Sequence, residues 1–196
     1  MCGCFFWKKK KCKEIKEELE LSEISEDCSP EGDIKTGSSS IIIISDTNKN
    51  IIKATNMLWG FRSKDNKLII NARAESVLEK PLFYNGIRNQ RCVIPAISFY
   101  EWNNDKIKVT FSRTDNKIFY LAGFYLIKEN IEYFIILTTK ANNSVINTHH
   151  RMPLFLEANS VKDWITGNNI EKYLNLQMPE LISNQSYKQL TLWESL

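Results

Sequence analysis

The fold class is indicated most clearly by residues 98–138, which read SFYEWNNDKIKVTFSRTDNKIFYLAGFYLIKENIEYFIILT. Four segments rich in aromatic and β-branched residues alternate here with short polar breaks, which is the pattern of strands joined by tight turns. The predicted strands are Ser98 to Trp102, Ile107 to Phe111, Phe119 to Tyr125 and Ile131 to Thr138. Together they predict an antiparallel meander.

The flanking sequence adds more strands and only short helices. Further strands are predicted at Ile41 to Ile44, Ile51 to Trp59, Leu68 to Ile70 and Val93 to Ile94. Helices are predicted at Lys8 to Glu23, before Pro81, at Asn142 to Asn147 and from a Ser160 cap to Thr166, with Ser25 to Ser40 as a loop. The expectation is one α+β domain over residues 1–196, built on a curved, mainly antiparallel sheet or barrel-like core with short flanking helices.

Composition narrows the class of protein. A chain of 196 residues with 43% hydrophobic and 11% aromatic residues can bury a core, and its net charge of +3 permits a nucleic-acid partner without requiring one. The 5 cysteines are odd in number and irregularly spaced, which argues against a disulfide framework and for a reduced, cytoplasmic setting, nucleoid-associated if bacterial. No signal peptide, membrane span, cofactor or metal site is expected, and the chain is expected to be monomeric.

The first residues, Met1-Cys2-Gly3-Cys4, carry a chemical possibility of their own. Aminopeptidases remove Met before a small residue, which would leave Cys2 with a free α-amine and a thiol on adjacent carbons. An aldehyde can form a Schiff base with that amine and then be closed by the thiol into a thiazolidine. Ordinary pKa values near ~8 and ~8.5 would leave a useful fraction of both groups reactive at neutral pH.

Other interpretations of this segment remain open. Cys2 and Cys4 precede the run Lys8 to Lys11, and acylated cysteines beside a basic run form a two-signal membrane anchor. The start Met-Cys also occurs by chance. The lysine run is compatible with phosphate contacts, although a charge run is usually a solvated face.

Polar residues with acid–base or phosphate-binding chemistry follow several of the apolar segments. Asn71 and Arg73 come after one strand, Glu101 interrupts Phe99-Tyr100-Glu101-Trp102, and His149 precedes Arg151. Each has a structural interpretation: Glu101 as a core carboxylate paired with an arginine, Asn71 as a helix cap, His149 and His150 as loop residues. Taken together with Cys2, they form a plausible acid–base set for an anionic substrate.

A series of motifs extends this pattern and resembles one family, that of the SOS response-associated peptidases, also described as abasic-site processing proteins. The motifs occur in family order and cover roughly residues 1 to 165. They are Met1-Cys2-Gly3, Trp59-Gly60-Phe61, Asn71-Ala72-Arg73-Ala74-Glu75, Arg91-Cys92-Val93-Ile94-Pro95-Ala96, Phe99-Tyr100-Glu101-Trp102, Leu121-Ala122-Gly123-Phe124, Leu137-Thr138-Thr139-Lys140-Ala141-Asn142 and His149-His150-Arg151-Met152-Pro153.

The resemblance implies capture of the aldehyde of an abasic site in single-stranded DNA as a thiazolidine on Cys2. It also implies that Asn71 hydrogen-bonds the crosslink, that Glu101 shuttles protons, and that His149 serves the sugar hydroxyl and crosslink reversal. The remaining roles implied are phosphate contacts for Arg73 and Arg151 and, for a Trp59 exposed at a rim, stacking on a base. The family's peptidase label would refer to removal of Met1, and whether the chain or a host aminopeptidase does this is open.

The chain departs from the family in several places. Cys4 stands where the family usually has an arginine, so one phosphate contact is missing for which the run Lys8 to Lys11 is a candidate substitute. The early loop at residues 33–40 lacks the family's proline, Ser98 replaces a glycine, and His150 replaces an acidic or variable residue. Two functions of other classes stay open: a non-catalytic single-stranded-DNA-binding module, and a cysteine peptidase that acts on other proteins through Cys2 and His149.

Overall fold

The computed structural model of the protein describes residues 2–24, 28, 30–46 and 49–185. The strands are β1 (Cys4–Trp7), β2 (Gly32–Lys35), β3 (Ser39–Asp46), β4 (Ile51–Trp59), β5 (Phe61–Arg62), β6 (Leu68–Ile69), β7 (Asn71–Arg73), β8 (Arg91–Ala96), β9 (Ser98–Trp102), β10 (Lys108–Arg113), β11 (Phe119–Lys128), β12 (Ile131–Lys140), β13 (Arg151–Pro153), β14 (Phe155–Leu156) and β15 (Leu181–Gln185). The α-helices are α1 (Cys12–Glu18), α2 (Pro81–Asn89), α3 (Ala158–Thr166) and α4 (Glu171–Leu174), with 3₁₀ turns at Lys9–Lys11 and Ala74–Glu79.

Five strands close into a barrel. Strand β12 pairs with β4, followed in order by β3, β8 and β11, which pairs with β12 again. Only the β12–β4 contact within this ring is parallel. The run Ile41 to Ile44 in β3 is buried throughout, so this strand is covered on both of its faces. The predicted α+β fold with a barrel-like core is therefore confirmed.

A second sheet, in the order β15-β10-β9-β1-β2, lies against the barrel. Here the predicted meander is wrong at its middle turn, because β10 pairs with β9 and β15 whereas β11 pairs with β8, β14 and β12. Residues 114–118 carry the chain from one sheet to the other. The Phe99 ring bridges the sheets, since it lies 5.9 Å from Phe119 of the barrel and 5.1 Å from Phe111 within its own sheet.

The helices differ from the prediction more than the strands do. The helix expected at residues 8–23 is limited to the short α1, the expected loop at 25–40 contains β2, and the expected helix at 142–147 is a series of turns. Helix α2 was not predicted, although Pro81 suits the first position of a helix. Ser160 lies inside α3 instead of capping it, since the cap position is Glu157.

Arg91, at the start of β8, joins two helix ends. Its guanidinium donates to the carbonyl oxygens of Ile87 and Arg88 at the end of α2, and to those of Trp164 and Gly167 at the end of α3. The last carbonyls of a helix lack partners within the helix and form the negative end of its dipole. One buried cation thus satisfies the ends of both helices and fixes them against the barrel.

The pairing of the cysteines differs from what the sequence led us to expect. Cys12 and Cys28 form a disulfide that links the start of α1 to the segment before β2, although no disulfide was expected. The other three cysteines, Cys2, Cys4 and Cys92, are free and buried. Within the described residues, no helix is long and apolar enough to cross a membrane.

Candidate active site

Cys2 and Asn71, which are 69 positions apart in sequence, are in direct contact. The Asn71 side-chain Nδ2 donates to the backbone oxygen of Cys2 over 2.8 Å. Asn71 begins β7, and its parallel pairing with Ile136 of β12 fixes its place on the barrel wall. Its Oδ1 is buried and accepts no hydrogen bond from any described residue, so the side chain retains an acceptor beside Cys2.

Glu101 lies near Cys2 because of the pairing between β1 and β9. Phe5 is opposite Phe99, and the same antiparallel register, continued outward, brings Cys2 to the end of β9 that carries Glu101. The Glu101 residue is 3% exposed, and burial raises the pKa of its carboxyl group to about 7. This carboxyl group can therefore both hold and release a proton at neutral pH.

The thiol of Cys2 differs from the sequence-based expectation. Cys2 is fully buried, and this burial, followed by the charge of Glu101, raises the pKa of the thiol far above its ordinary value. The thiol is consequently protonated at neutral pH, and the expectation that it is reactive there without tuning is wrong. It requires a base or a strongly electrophilic partner to react.

His149 is held by the backbone of β13. Its Nδ1 accepts a hydrogen bond from the Arg151 backbone N–H over 3.0 Å, so the proton of the neutral ring is assigned to Nε2. Burial lowers the pKa of His149, and the positive charge of the chain's α-amino group lowers it further. At neutral pH the ring is thus neutral, with its proton on Nε2.

The guanidinium of Arg151 is not available as predicted. It is 7% exposed and forms a two-pronged ion pair with Glu75, with N–O distances of 2.7 and 2.8 Å, and it also donates to the Thr138 backbone oxygen. This pairing holds β13 and β12 against the 3₁₀ turn that follows β7. The pKa of Glu75 is lowered chiefly by the hydrogen bonds from Arg151. The predicted phosphate contact is therefore replaced by a buried contact within the site wall.

The side chain of Arg73, in contrast to that of Arg151, is exposed to solvent. Arg73 is exposed at the end of β7, two positions after Asn71, and forms no ion pair with a described residue. Two lysines lie on the other side of the site. Lys35 is the cross-strand partner of Cys4, and Lys108 stacks over the Tyr100 ring and contacts Asp33 at 3.2 Å.

The position of Trp59 differs from the exposed rim position expected from the sequence. It is fully buried between Phe5 and Phe134, with ring centres 5.2 and 5.9 Å away, and its indole N–H donates to the Ile70 backbone oxygen. A side chain in this position fixes β1 and β7 against the barrel and cannot stack on a base. The prediction that it lies exposed at a rim is wrong.

The charge at the N-terminus affects both the Cys2–Glu101 pair and the His149–His150 pair. Before Met1 is removed, the positive charge of the chain's α-amino group acts on the pKa values of Cys2, Glu101, His149 and His150. Met1, whose removal was predicted, lies outside the described residues. Among the residues that are described, no group of three or more His, Cys, Asp or Glu side chains is arranged to hold a metal ion.

Comparison with known proteins identifies the family. A family profile described as SOS response associated peptidase (SRAP) matches residues 1–194. The chain belongs to the SOS response associated peptidase family. Within the SRAP family, it is 33% identical over 146 residues to the abasic site processing protein YobE of Bacillus subtilis, covering 67% of this chain and 66% of YobE. It is 34% identical over 146 residues to YoqW of the same organism, another abasic site processing protein, covering 67% of this chain and 64% of YoqW.

These alignments span slightly less than two thirds of each relative's length. A solved structure from Bordetella bronchiseptica extends the likeness to nearly the whole SRAP chain. It has a TM-score of 0.79 at 20% identity and covers 95% of this chain and 100% of that chain. At that identity, the likeness concerns the fold alone.

Sequence reasoning missed several residues around the site. Glu75 was quoted within a motif but not identified as the partner of Arg151, and Lys35 and Lys108 were not considered. His150 was considered only as a loop residue and as a departure from the family, yet its ring stacks on that of His149. Glu75, a carboxylate within the motif that contains Asn71 and Arg73, was a usable signal for the ion pair with Arg151. Lys35 and Lys108 become neighbours of the site only through the strand order of the second sheet.

Proposed function

We propose that this protein processes abasic sites in single-stranded DNA by capturing the lesion covalently on Cys2. The contact between Asn71 and Cys2, with a Glu101 carboxyl group of pKa about 7 nearby, is the observation that carries the proposal. Membership of the SRAP family and the names of its abasic site processing relatives support the substrate.

The reaction begins after hydrolysis of the Met1–Cys2 peptide bond. The free α-amine attacks the aldehyde carbon of the ring-opened deoxyribose, and loss of water gives an iminium ion. The thiol sulfur then bonds to the same carbon and releases its proton, which closes the thiazolidine. One water is formed and no oxidant is consumed. Because the buried thiol holds its proton tightly, the electrophilic iminium must form first.

Glu101 is the proton carrier for these steps. In its protonated form it can donate to the hydroxyl group that leaves as water, and as a carboxylate it can accept the proton released by the amine or thiol. A carboxyl group with a pKa of about 7 is populated in both forms at neutral pH. The buried Oδ1 of Asn71, which accepts no hydrogen bond from any described residue, serves as an acceptor for a donor of the captured lesion on Cys2.

His149 donates from Nε2 to an oxygen of the opened sugar, because its Nδ1 is held by the Arg151 backbone N–H. The same group serves reversal of the crosslink, in which the thiazolidine reopens. Arg73 contacts a phosphate beside the lesion, whereas Arg151 holds the wall on which His149 sits.

The decisive experiment combines the protein with a single-stranded oligonucleotide whose uracil has been removed by a glycosylase. The wild-type protein is expected to give a heat-stable, slower-migrating band, and Cys2→Ala is expected to give none. Cys92→Ala is the matched control, since it removes a buried thiol elsewhere. A band that persists in Cys2→Ala would instead indicate a lysine Schiff base and overturn the proposal.

We also propose that the family's peptidase label refers to removal of Met1 by the protein itself, with Glu101 as the proton carrier. Glu101→Gln is then expected to keep Met1 in the mass spectrum, while the wild-type protein loses the mass of one methionine. Loss of Met1 from both proteins would assign the cleavage to a host aminopeptidase.

A further inference from the structure

Lys140 is an exposed cation on the same face of the sheet as Asn71 and Arg73. Arg73, two positions after Asn71, is opposite Thr138 in the parallel pairing of β7 with β12. Lys140 follows Thr138 by two positions in β12, and side chains two positions apart point to the same face of a strand. The face on which Asn71 lies therefore continues outward through Arg73 to Lys140.

The positive charges of Arg73 and Lys140 are not neutralised locally, since neither residue forms an ion pair with a described residue. The nearby carboxylate of Glu75, on the 3₁₀ turn that follows β7, is bound by both terminal nitrogens of Arg151. The pKa of Glu75 is lowered first by the hydrogen bonds from Arg151 and to a smaller extent by the charge of Lys140, so the lysine lies near this pair. Because Glu75 and Arg151 neutralise each other, two positive charges remain at this end of the sheet.

The two exposed cations are spaced along the direction of the strands. Lys140 lies two residues beyond the level of Arg73, a rise of roughly 6.6 Å, and one strand across, so their Cα atoms are about 8 Å apart. Asn71, which contacts Cys2, lies two residues before Arg73 along the same direction. A single strand that runs outward along this face from Cys2 meets Arg73 first and Lys140 second.

We propose that Arg73 and Lys140 form a phosphate track at one flank of the lesion, in which Arg73 contacts the nearer phosphate and Lys140 the next one. The inference rests on the proposed function, because Cys2 fixes where the lesion lies. Contacts of this kind set the register of a strand without reading its sequence. Lys140 thus helps to hold the abasic sugar at the level of Asn71.

The test is fluorescence anisotropy with a seven-nucleotide strand that carries a central tetrahydrofuran residue and, at one position at a time, a neutral methylphosphonate in place of a phosphate. The wild type is expected to lose affinity about fivefold at each of two adjacent positions on one side of the lesion. Lys140→Gln is expected to bind the unmodified strand about fivefold more weakly and to respond only to the inner methylphosphonate. Lys140→Arg is expected to keep both responses.

Lys162→Gln, which removes one exposed charge on α3, is the matched control and is expected to behave as the wild type does. Wild-type affinity in Lys140→Gln would overturn the inference, as would an undiminished response of that variant to the outer methylphosphonate. An equal loss of affinity at every methylphosphonate position in the wild type would overturn it too, because the contacts would then be diffuse.

The crosslinking assay separates this inference from the proposed function. If the wild type captures no abasic DNA but shows the expected methylphosphonate pattern, the proposed function fails and the phosphate track stands. If capture occurs and the pattern is absent, the track alone fails.

Discussion

Because the ionisable side chain of Glu101 is buried, the stability of the protein is expected to depend on pH. Its pKa is about 7 in the folded protein and 4.5 for an ordinary glutamate. As pH rises from about 4.5 to 7, the unfolded chain loses this proton while the folded protein keeps it, so stability falls across that window and is then constant. Glu101→Gln removes the effect and is expected to stabilise the protein by roughly 2 kcal/mol at pH 8 and little at pH 4.

Chemical denaturation of both proteins at pH 4, 6 and 8 would measure this difference. Glu129→Gln, at the exposed tip of the β11–β12 hairpin, is the control and is expected to leave the pH dependence unchanged. Equal stability differences at all three pH values would show that folding does not raise the pKa of Glu101. In the crosslinking assay, Glu101→Gln protein from which Met1 has been removed by an added aminopeptidase is expected to slow capture while leaving DNA affinity nearly intact.

Single residues could be identified from the sequence where a polar group interrupts an apolar segment. Glu101 between aromatic residues and Asn71 after a strand were found in this way, and the structure places both beside Cys2. Trp59 was misplaced because an aromatic residue at a strand end is equally compatible with a rim and with a core. Burial of the Cys2 thiol depends on strands β1, β7 and β9 together, which no local pattern reveals.

At the level of elements, β7 and β13 carry two arginines with opposite surroundings. Arg73 is exposed, while Arg151 is buried against Glu75. Arg151→Gln leaves Glu75 without its cation and is expected to destabilise the protein by about 2 kcal/mol, a value that allows for the partial exposure of Glu75. Arg73→Gln is expected to leave stability unchanged but to weaken binding of all single strands and flatten the salt dependence by about one unit.

Thermal unfolding and DNA binding at several salt concentrations distinguish the two variants. Equal destabilisation by both would contradict the assignment of Arg151 to the site wall. A salt dependence unaltered in Arg73→Gln would remove Arg73 from the phosphate contacts.

Lysines lie near β1 at two places: Lys35 is paired with Cys4 at its start, and the run Lys8 to Lys11 follows its end. Lys35 lies across from Cys4 at a strand spacing of about 4.8 Å, whereas Lys8, just beyond the end of β1, follows Cys4 by four residues and is roughly 13 Å from it along the extended backbone. Lys35 is therefore better placed than the run Lys8 to Lys11 to contact a phosphate next to the lesion. Lys35→Gln is expected to weaken binding about fivefold, and Lys10→Gln, a matched removal of one exposed charge, to have little effect.

Fluorescence anisotropy with a seven-nucleotide strand tests this comparison. A central tetrahydrofuran residue replaces the lesion, so that no aldehyde is present and binding is measured without capture. A larger loss of affinity in Lys10→Gln would return the phosphate contact to the lysine run.

Elements were predictable from the sequence where hydrophobic periodicity was strong. Strands β4 and β9 have the predicted bounds, Ile51–Trp59 and Ser98–Trp102. Strand β2 was missed because its four residues, Gly32–Lys35, carry one buried side chain and are ordered by pairing with β1. The partner of each strand was not predictable, because turns of similar sequence join strands within one sheet and between two sheets.

For the molecule as a whole, the disulfide between Cys12 and Cys28 ties α1 to the start of the second sheet. It closes a loop with a sequence separation of 16 residues, and a crosslink over such a loop contributes about 3 kcal/mol. Cys12→Ser is expected to lower the melting temperature by roughly 6–12 °C under non-reducing conditions. A reductant should lower the melting temperature of the wild type by a similar amount and leave that of Cys12→Ser unchanged; an equal response in both would argue against the crosslink.

The complete burial of Cys2 also affects which molecules can react with it. Cells contain abundant free sugars and other small carbonyl compounds, and an exposed 1,2-aminothiol would condense with them continually. A thiol enclosed by the two sheets and kept protonated is a poor target for alkylating agents and peroxides. Under the proposed function, the reactivity of Cys2 is thereby reserved for a carbonyl that is delivered into the site by its attached strand, and the protein is expected to persist unmodified until damage occurs.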